Sequence, residues 1–147
     1  MATPPSYLTL LEAWQNQWNS QPRDRWGITL PPSPLNLRLY KDLAKAESII
    51  FSQLRTGSIG LLEFLYKRKV PDYPTPFCSC GTGIGNTSHF LTSCPLYSYS
   101  RPRVFRGKTK EDLLSDPFLA RVTTKWAIQT GALPQFDLAK TLLYDPP

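Results

Sequence analysis

The sequence predicts a mostly α fold, a small helical domain organised around a Cys3His zinc knuckle. Three observations carry that prediction. Apolar residues recur at three- and four-residue intervals in several segments, and no alternation is long enough to mark a strand. Proline supplies 15 of the 147 residues and gathers near the N-terminus, at 31–35, at 71–76 and at the C-terminus, where it punctuates helices. All 3 cysteines and the 1 histidine fall within positions 78–94.

Taken in order, Tyr7, Leu8, Leu11, Trp14 and Trp18 predict an amphipathic helix over residues 7–19, its two tryptophans forming a packing edge. Residues 20–40, with Pro31, Pro32 and Pro34, read as an irregular connector. A second helix is expected from Leu39 to Leu54, with Leu43, Ile50, Phe51 and Leu54 inward and Lys41, Asp42, Lys45 and Glu47 in water. Gly57 suits its C-terminus, and Ser58 is placed to cap a short helix over Ile59–Tyr66. Lys67, Arg68 and Lys69 follow, where a helix dipole favours cations. These two helices are expected to hinge at Gly57 and pack on the metal segment as a hairpin. Further on, Thr109-Lys-Glu-Asp112 has the form of a capping box, and Asp116-Pro117 opens a helix over Phe118–Thr130 that stops at Gly131. A last helical stretch runs from Leu133 to Tyr144. The expected organisation is an N-terminal helix and connector (1–38) joined to a body over 39–147 in one domain.

The central segment reads C-x-C-x8-H-x4-C through Cys78, Cys80, His89 and Cys94. Three thiolates and one imidazole are the donors of a closed tetrahedral Zn2+ site. The bland alternative is that these are small buried residues without a metal. Their confinement to one short window favours the metal. Thr87 or Ser88 is expected to cap a short helix carrying His89 and Cys94, with Pro95 ending it. A chelator is expected to melt residues 76–97 while the longer helices survive.

The chain carries a formal charge of +6 and a pI near 9.4, which permits a polyanionic partner. Distribution says more than the total. Lys67, Arg68 and Lys69 precede the metal segment; Arg101, Arg103, Arg106 and Lys108 follow it with no acid among them, and Tyr97 and Tyr99 lie between. Cations interleaved with aromatic rings suit phosphate contact and base stacking. Enzymatic chemistry finds little to work with. The one histidine is committed to metal, a four-ligand site leaves no open position, the Gly81–Gly85 stretch lacks a P-loop lysine, and the 11 acids form no cluster. No catalytic residue is expected. The N-terminal residues lack the basic and apolar regions of a secretory leader, and no run is apolar enough for a membrane span. An intracellular protein, cytoplasmic or nuclear, with no membrane partner is expected.

Leu39–Leu61 with its Leu54-Arg55-Thr56-Gly57, then Arg68-Lys-Val-Pro71, Cys78-Ser-Cys80-Gly81 and His89-Phe-Leu-Thr-Ser-Cys94-Pro95-Leu-Tyr97, resembles the extreme C-terminus of fungal LINE-type (non-LTR) retrotransposon polyproteins. Trp126-Ala-Ile-Gln-Thr-Gly131 through Phe136 is similar to that family's closing helix. The resemblance runs from about Trp14 onward. It implies a zinc knuckle ligated by Cys78, Cys80, His89 and Cys94 in a tail that binds nucleic acid, RNA or single-stranded DNA, without the polymerase and RNase H parts. The alternative it leaves open is a retroelement-derived, effector-like module that binds a protein partner, with zinc serving only the fold.

Overall fold

The computed structural model describes residues 4, 6–20 and 33–146. The helices are α1 (Tyr7–Ser20), α2 (Lys45–Thr56), α3 (Leu62–Lys67), α4 (Lys110–Ser115), α5 (Pro117–Gln129) and α6 (Asp137–Tyr144), joined by short 3-10 turns. Among the described residues there is no strand, only an isolated antiparallel bridge between Phe77 and Ile84. No described helix is long and apolar enough to cross a membrane. The chain is therefore mostly helical, as its periodicity predicts.

α5 is the central beam. Asp116 caps it by accepting from the Leu119 N–H at 2.9 Å, Pro117 opens it, and Gly131 follows it at φ 70°. Ala120, Thr123, Thr124, Trp126, Ala127 and Ile128 are buried along it. α2 and α4 pack on its sides, and α6 returns across its end. Ile50, Phe51 and Leu54 of α2 are fully buried against this beam. Burying each such side chain contributes on the order of 1.5–3 kcal/mol. The Tyr144 hydroxyl donates to Glu47 Oε1 at 2.9 Å and so ties α6 to α2.

Several boundaries differ from expectation for physical reasons. The segment before α2 is not continuous helix: Pro34–Tyr40 is a 3-10 turn capped by Ser33, and Asp42 at φ 67° turns the chain before α2 begins at Lys45. The connector expected over 20–40 is thus helical from Pro34; residues 21–32 lie outside the described ones. The expected 1–38/39–147 boundary falls inside that turn. Glu47, expected in water, is the acceptor for Tyr144. Gly57 ends α2 at φ 73° as expected, but α3 starts at Leu62 rather than Ile59, and Ser58 does not cap it. The hairpin expected of α2 and α3 is split, since α2 packs on α5 while α3 borders the cysteine loop. α1 has no buried residue; of its aromatic edge, Trp14 is 51% exposed and Trp18 half-buried, so neither joins the core.

Candidate metal centre

Residues 76–85 form a tight loop. The Cys78 N–H donates to Gly83 O at 2.8 Å and the Gly85 N–H to Pro76 O at 2.8 Å, which brings the two arms side by side. At its tip the Gly81 N–H reaches back to Cys78 O at 3.0 Å, with Gly81 at φ 77°, a conformation a side chain would strain. Where the loop meets α3, Gly85 O accepts from the Glu63 N–H at 3.0 Å. A Cβ on Gly85 would stand only 2.8 Å from Leu62 Cβ, so the absent side chain is what allows this approach.

The second half of the site is a π-helical turn, His89–Ser93, closed by the Cys94 N–H donating to His89 O at 2.7 Å. On an ordinary helix, positions five apart point about 140° away from each other. The five-residue bond closes a wider turn, which carries both ligands to the same side. Asn86, rather than Thr87 or Ser88, caps the turn through Oδ1, which accepts the His89 N–H at 2.9 Å. Pro95 ends it and starts a 3-10 turn, Pro95–Tyr97.

These two halves place the donor atoms of Cys78, Cys80, His89 and Cys94 within 4.8 Å of one another. The Cys78 and Cys94 sulfurs are 3.7 Å apart, and Cys80 Sγ is 3.2 Å from His89 Nε2. Two thiolates on a tetrahedral Zn2+ with bonds near 2.3 Å stand about 3.8 Å apart, so the Cys78–Cys94 spacing and the donor types fit such an ion. The Thr82 hydroxyl, 3.1 Å from the Cys80 sulfur, and the Thr82 N–H donating to it at 3.4 Å hold that thiol down at about 6. Burial pushes the Cys94 thiol up to about 11. A divalent cation is what such a buried thiol needs as a partner in order to ionise, and metal uptake then releases protons.

The basic residues of the two flanking runs stand differently. Lys67 Nζ pairs with Glu63 Oε1 at 2.9 Å, Arg68 lies over the Phe64 ring at 5.3 Å, and Lys69 closes α3 at φ 56°. Arg101 is half-buried: its Nη2 donates to Phe90 O at 3.0 Å, its guanidinium lies 6.0 Å from the Trp126 ring, and burial lowers its pKa. Tyr97 packs edge-on against both Phe90 and Trp126, so its ring is engaged inside the molecule. Tyr99 is fully exposed, and Arg103, Arg106 and Lys108 are exposed. None of these three cations has an ion-pair partner among the described residues. Phe105, buried between them, fixes the segment to Trp126 at a ring distance of 5.4 Å. The sequence reading missed this anchoring; its one trace was an apolar Val104-Phe105 inside an otherwise cationic run.

Fold and site together define a small helical module built around a Cys3His group able to hold one metal ion. Over 88 residues the chain is 31% identical to the Retrovirus-related Pol polyprotein from type-1 retrotransposable element R1 of Bradysia coprophila. The match covers 60% of this chain and only 8% of that polyprotein, and it supports a retrotransposon origin. No family model matches the chain, and no solved structure matches it.

Proposed function

We propose that this chain is a non-catalytic module that binds single-stranded nucleic acid and whose Cys3His group takes Zn2+ as a structural ion. The observation that carries the reading is the segment after the last ligand. Fully exposed Tyr99 stands ahead of exposed Arg103, Arg106 and Lys108, which have no carboxylate partner among the described residues, on a backbone fixed by buried Phe105. Phosphates recruit such cations, and an exposed ring offers a stacking face to an unpaired base. The centre cannot attract phosphate itself, because three thiolates outweigh the charge of one divalent ion. Four protein ligands also leave no position for a reacting water. Similarity to a retroelement polyprotein agrees with a partner of this class. The fungal LINE-type C-terminal knuckle is the finer origin we infer, and an intracellular setting is the one we propose, because thiols that serve as metal ligands persist in a reducing compartment.

The test is binding of single-stranded and duplex oligonucleotides by zinc-loaded protein across a salt series. Affinity should fall steeply with salt, and the combined Arg103→Ala and Arg106→Ala change should lower the log–log slope by roughly 1.4–1.8. No oligonucleotide binding even at low salt would hand the case to the protein-interaction reading. That second reading draws on the exposed Leu138 and Leu142, one turn apart on α6.

A further inference from the structure

Beside the metal centre lies a cavity of about 290 Å³. Leu61, Leu62 and Leu65 line it from the α3 side, Phe90, Leu96 and Tyr97 from the far side of the ligand turn, and Tyr73 also borders it. Three of the metal ligands, Cys78, His89 and Cys94, face the same space. Small-molecule pockets run from roughly 300 to 1,000 Å³, so this one suits a single planar ring system and is too small for a docked helix.

We propose that this cavity receives one unpaired nucleobase of the bound strand, an inference that rests on the nucleic-acid reading above and names a subsite for it. Three features favour a base over an apolar protein side chain. Both basic runs leave from elements that line the cavity: α3 passes from Leu65 to Lys67, Arg68 and Lys69, and the ligand turn passes from Tyr97 to Tyr99 and Arg103. A base seated between them would have its flanking phosphates directed toward cations on either side. Polar groups also interrupt the apolar lining. Asn86 Oδ1 accepts the His89 N–H, which leaves the Asn86 amide NH2 to donate, and Ser79 and Tyr73, each with a hydroxyl, border the same space. Finally, the thiolates of a filled Cys3His centre are acceptors that an exocyclic amine could meet, whereas an aliphatic side chain offers them nothing.

The experiment uses the full zinc-loaded chain and two dodecamers of equal phosphate count, an oligodeoxycytidylate, whose base carries an exocyclic amine, and its abasic counterpart, in fluorescence anisotropy at several salt concentrations. The proposal expects the base-bearing strand to bind roughly tenfold tighter or more, the scale of one stacked base. Tyr73→Ala, which shortens an exposed border residue, and Leu96→Trp, which fills the cavity from an exposed position, should shrink that ratio toward one. Neither should alter the salt slope, and circular dichroism checks that both variants fold. Equal binding of both strands with a normal salt slope overturns the pocket while the nucleic-acid reading stands. A base preference untouched by both variants places stacking elsewhere, on Tyr99 for instance, and also overturns it. If neither strand binds at low salt, the underlying reading fails and the cavity is left to an apolar protein side chain.

Discussion

At the scale of single residues, Arg101 and Arg103 look equivalent in the sequence yet do different work. Arg101 donates to a main-chain carbonyl of the ligand turn and lies against Trp126, whereas Arg103 is in open water. Arg101→Ala should destabilise the protein by about 1.5–3 kcal/mol, the range for a charged hydrogen bond, as read by urea unfolding. Arg103→Ala should leave stability within about 0.5 kcal/mol and act on oligonucleotide affinity instead. No pattern of spacing separates these two arginines, because the carbonyl that occupies Arg101 comes from a turn eleven residues away. The glycines divide in a similar way. A Cβ on Gly83 would stand 3.1 Å from His89 Nδ1, so Gly83→Ala should push the imidazole off its line to the Cys80 sulfur. Metal affinity, measured by competition with a chromophoric chelator, should drop about 10–100-fold, the usual cost of disturbing a ligand's support. The four donors were legible because their chemistry is confined to one window. Thr82 and Asn86, which set the sulfur charge and cap the turn, were not, since threonine and asparagine are common in any loop.

At the scale of elements, helix starts with local polar caps were legible and starts decided by packing were not. Thr109 and Asp112 form the expected capping box, with the Asp112 N–H donating to Thr109 Oγ1 at 3.2 Å and the Thr109 N–H to Asp112 Oδ2 at 2.9 Å. These bonds hold the Asp112 carboxyl below its ordinary value. A depressed carboxylate adds stability above its unfolded pKa and loses it as pH falls through the folded one. The α4 contribution should therefore fade below about pH 4, and Asp112→Asn should flatten that part of the pH–stability curve. Thr109→Ala should cost about 1 kcal/mol at neutral pH. The opposite sign holds at the other end of the scale. Burial, and then the Glu47 carboxylate, raise the Tyr144 hydroxyl. Its stabilisation is complete below about pH 10 and is lost as pH climbs toward the folded value. Tyr144→Phe should remove that alkaline loss from a thermal-melt series. The starts of α2 and α3, by contrast, have no side-chain cap. They are set by the turn at Asp42 and by the approach of Gly85 to Leu62, both invisible to periodicity.

At the scale of the whole molecule, the ligand turn and the helical core are one body. Phe90 and Leu91, between His89 and Cys94, belong to the same buried cluster as Ile50, Phe51, Leu113 and Ile128, and Cys94 itself is 1% exposed. Trp126 holds the assembly together, with Phe90 at 5.1 Å, Phe105 at 5.4 Å and its indole N–H donating to Ser100 Oγ at 3.2 Å. The mostly helical class was readable from composition and spacing, but this union was not, because it joins segments more than thirty residues apart. The sequence suggested that chelation would melt only residues 76–97. The shared core instead predicts that a strong chelator lowers the stability of α2 and α5 as well. Hydrogen exchange should show amides in those helices losing protection together with the Cys94 N–H. Protection confined to the helices and unchanged by chelation would oppose this. A ligand that stabilises only the folded chain does so in proportion to the logarithm of its free concentration, about 1.4 kcal/mol for each tenfold change near saturation. A shortage of the metal would then show first as fewer intact copies surviving proteolysis. Supply of one ion would govern how much of the protein exists, before it altered anything that the surviving molecules do.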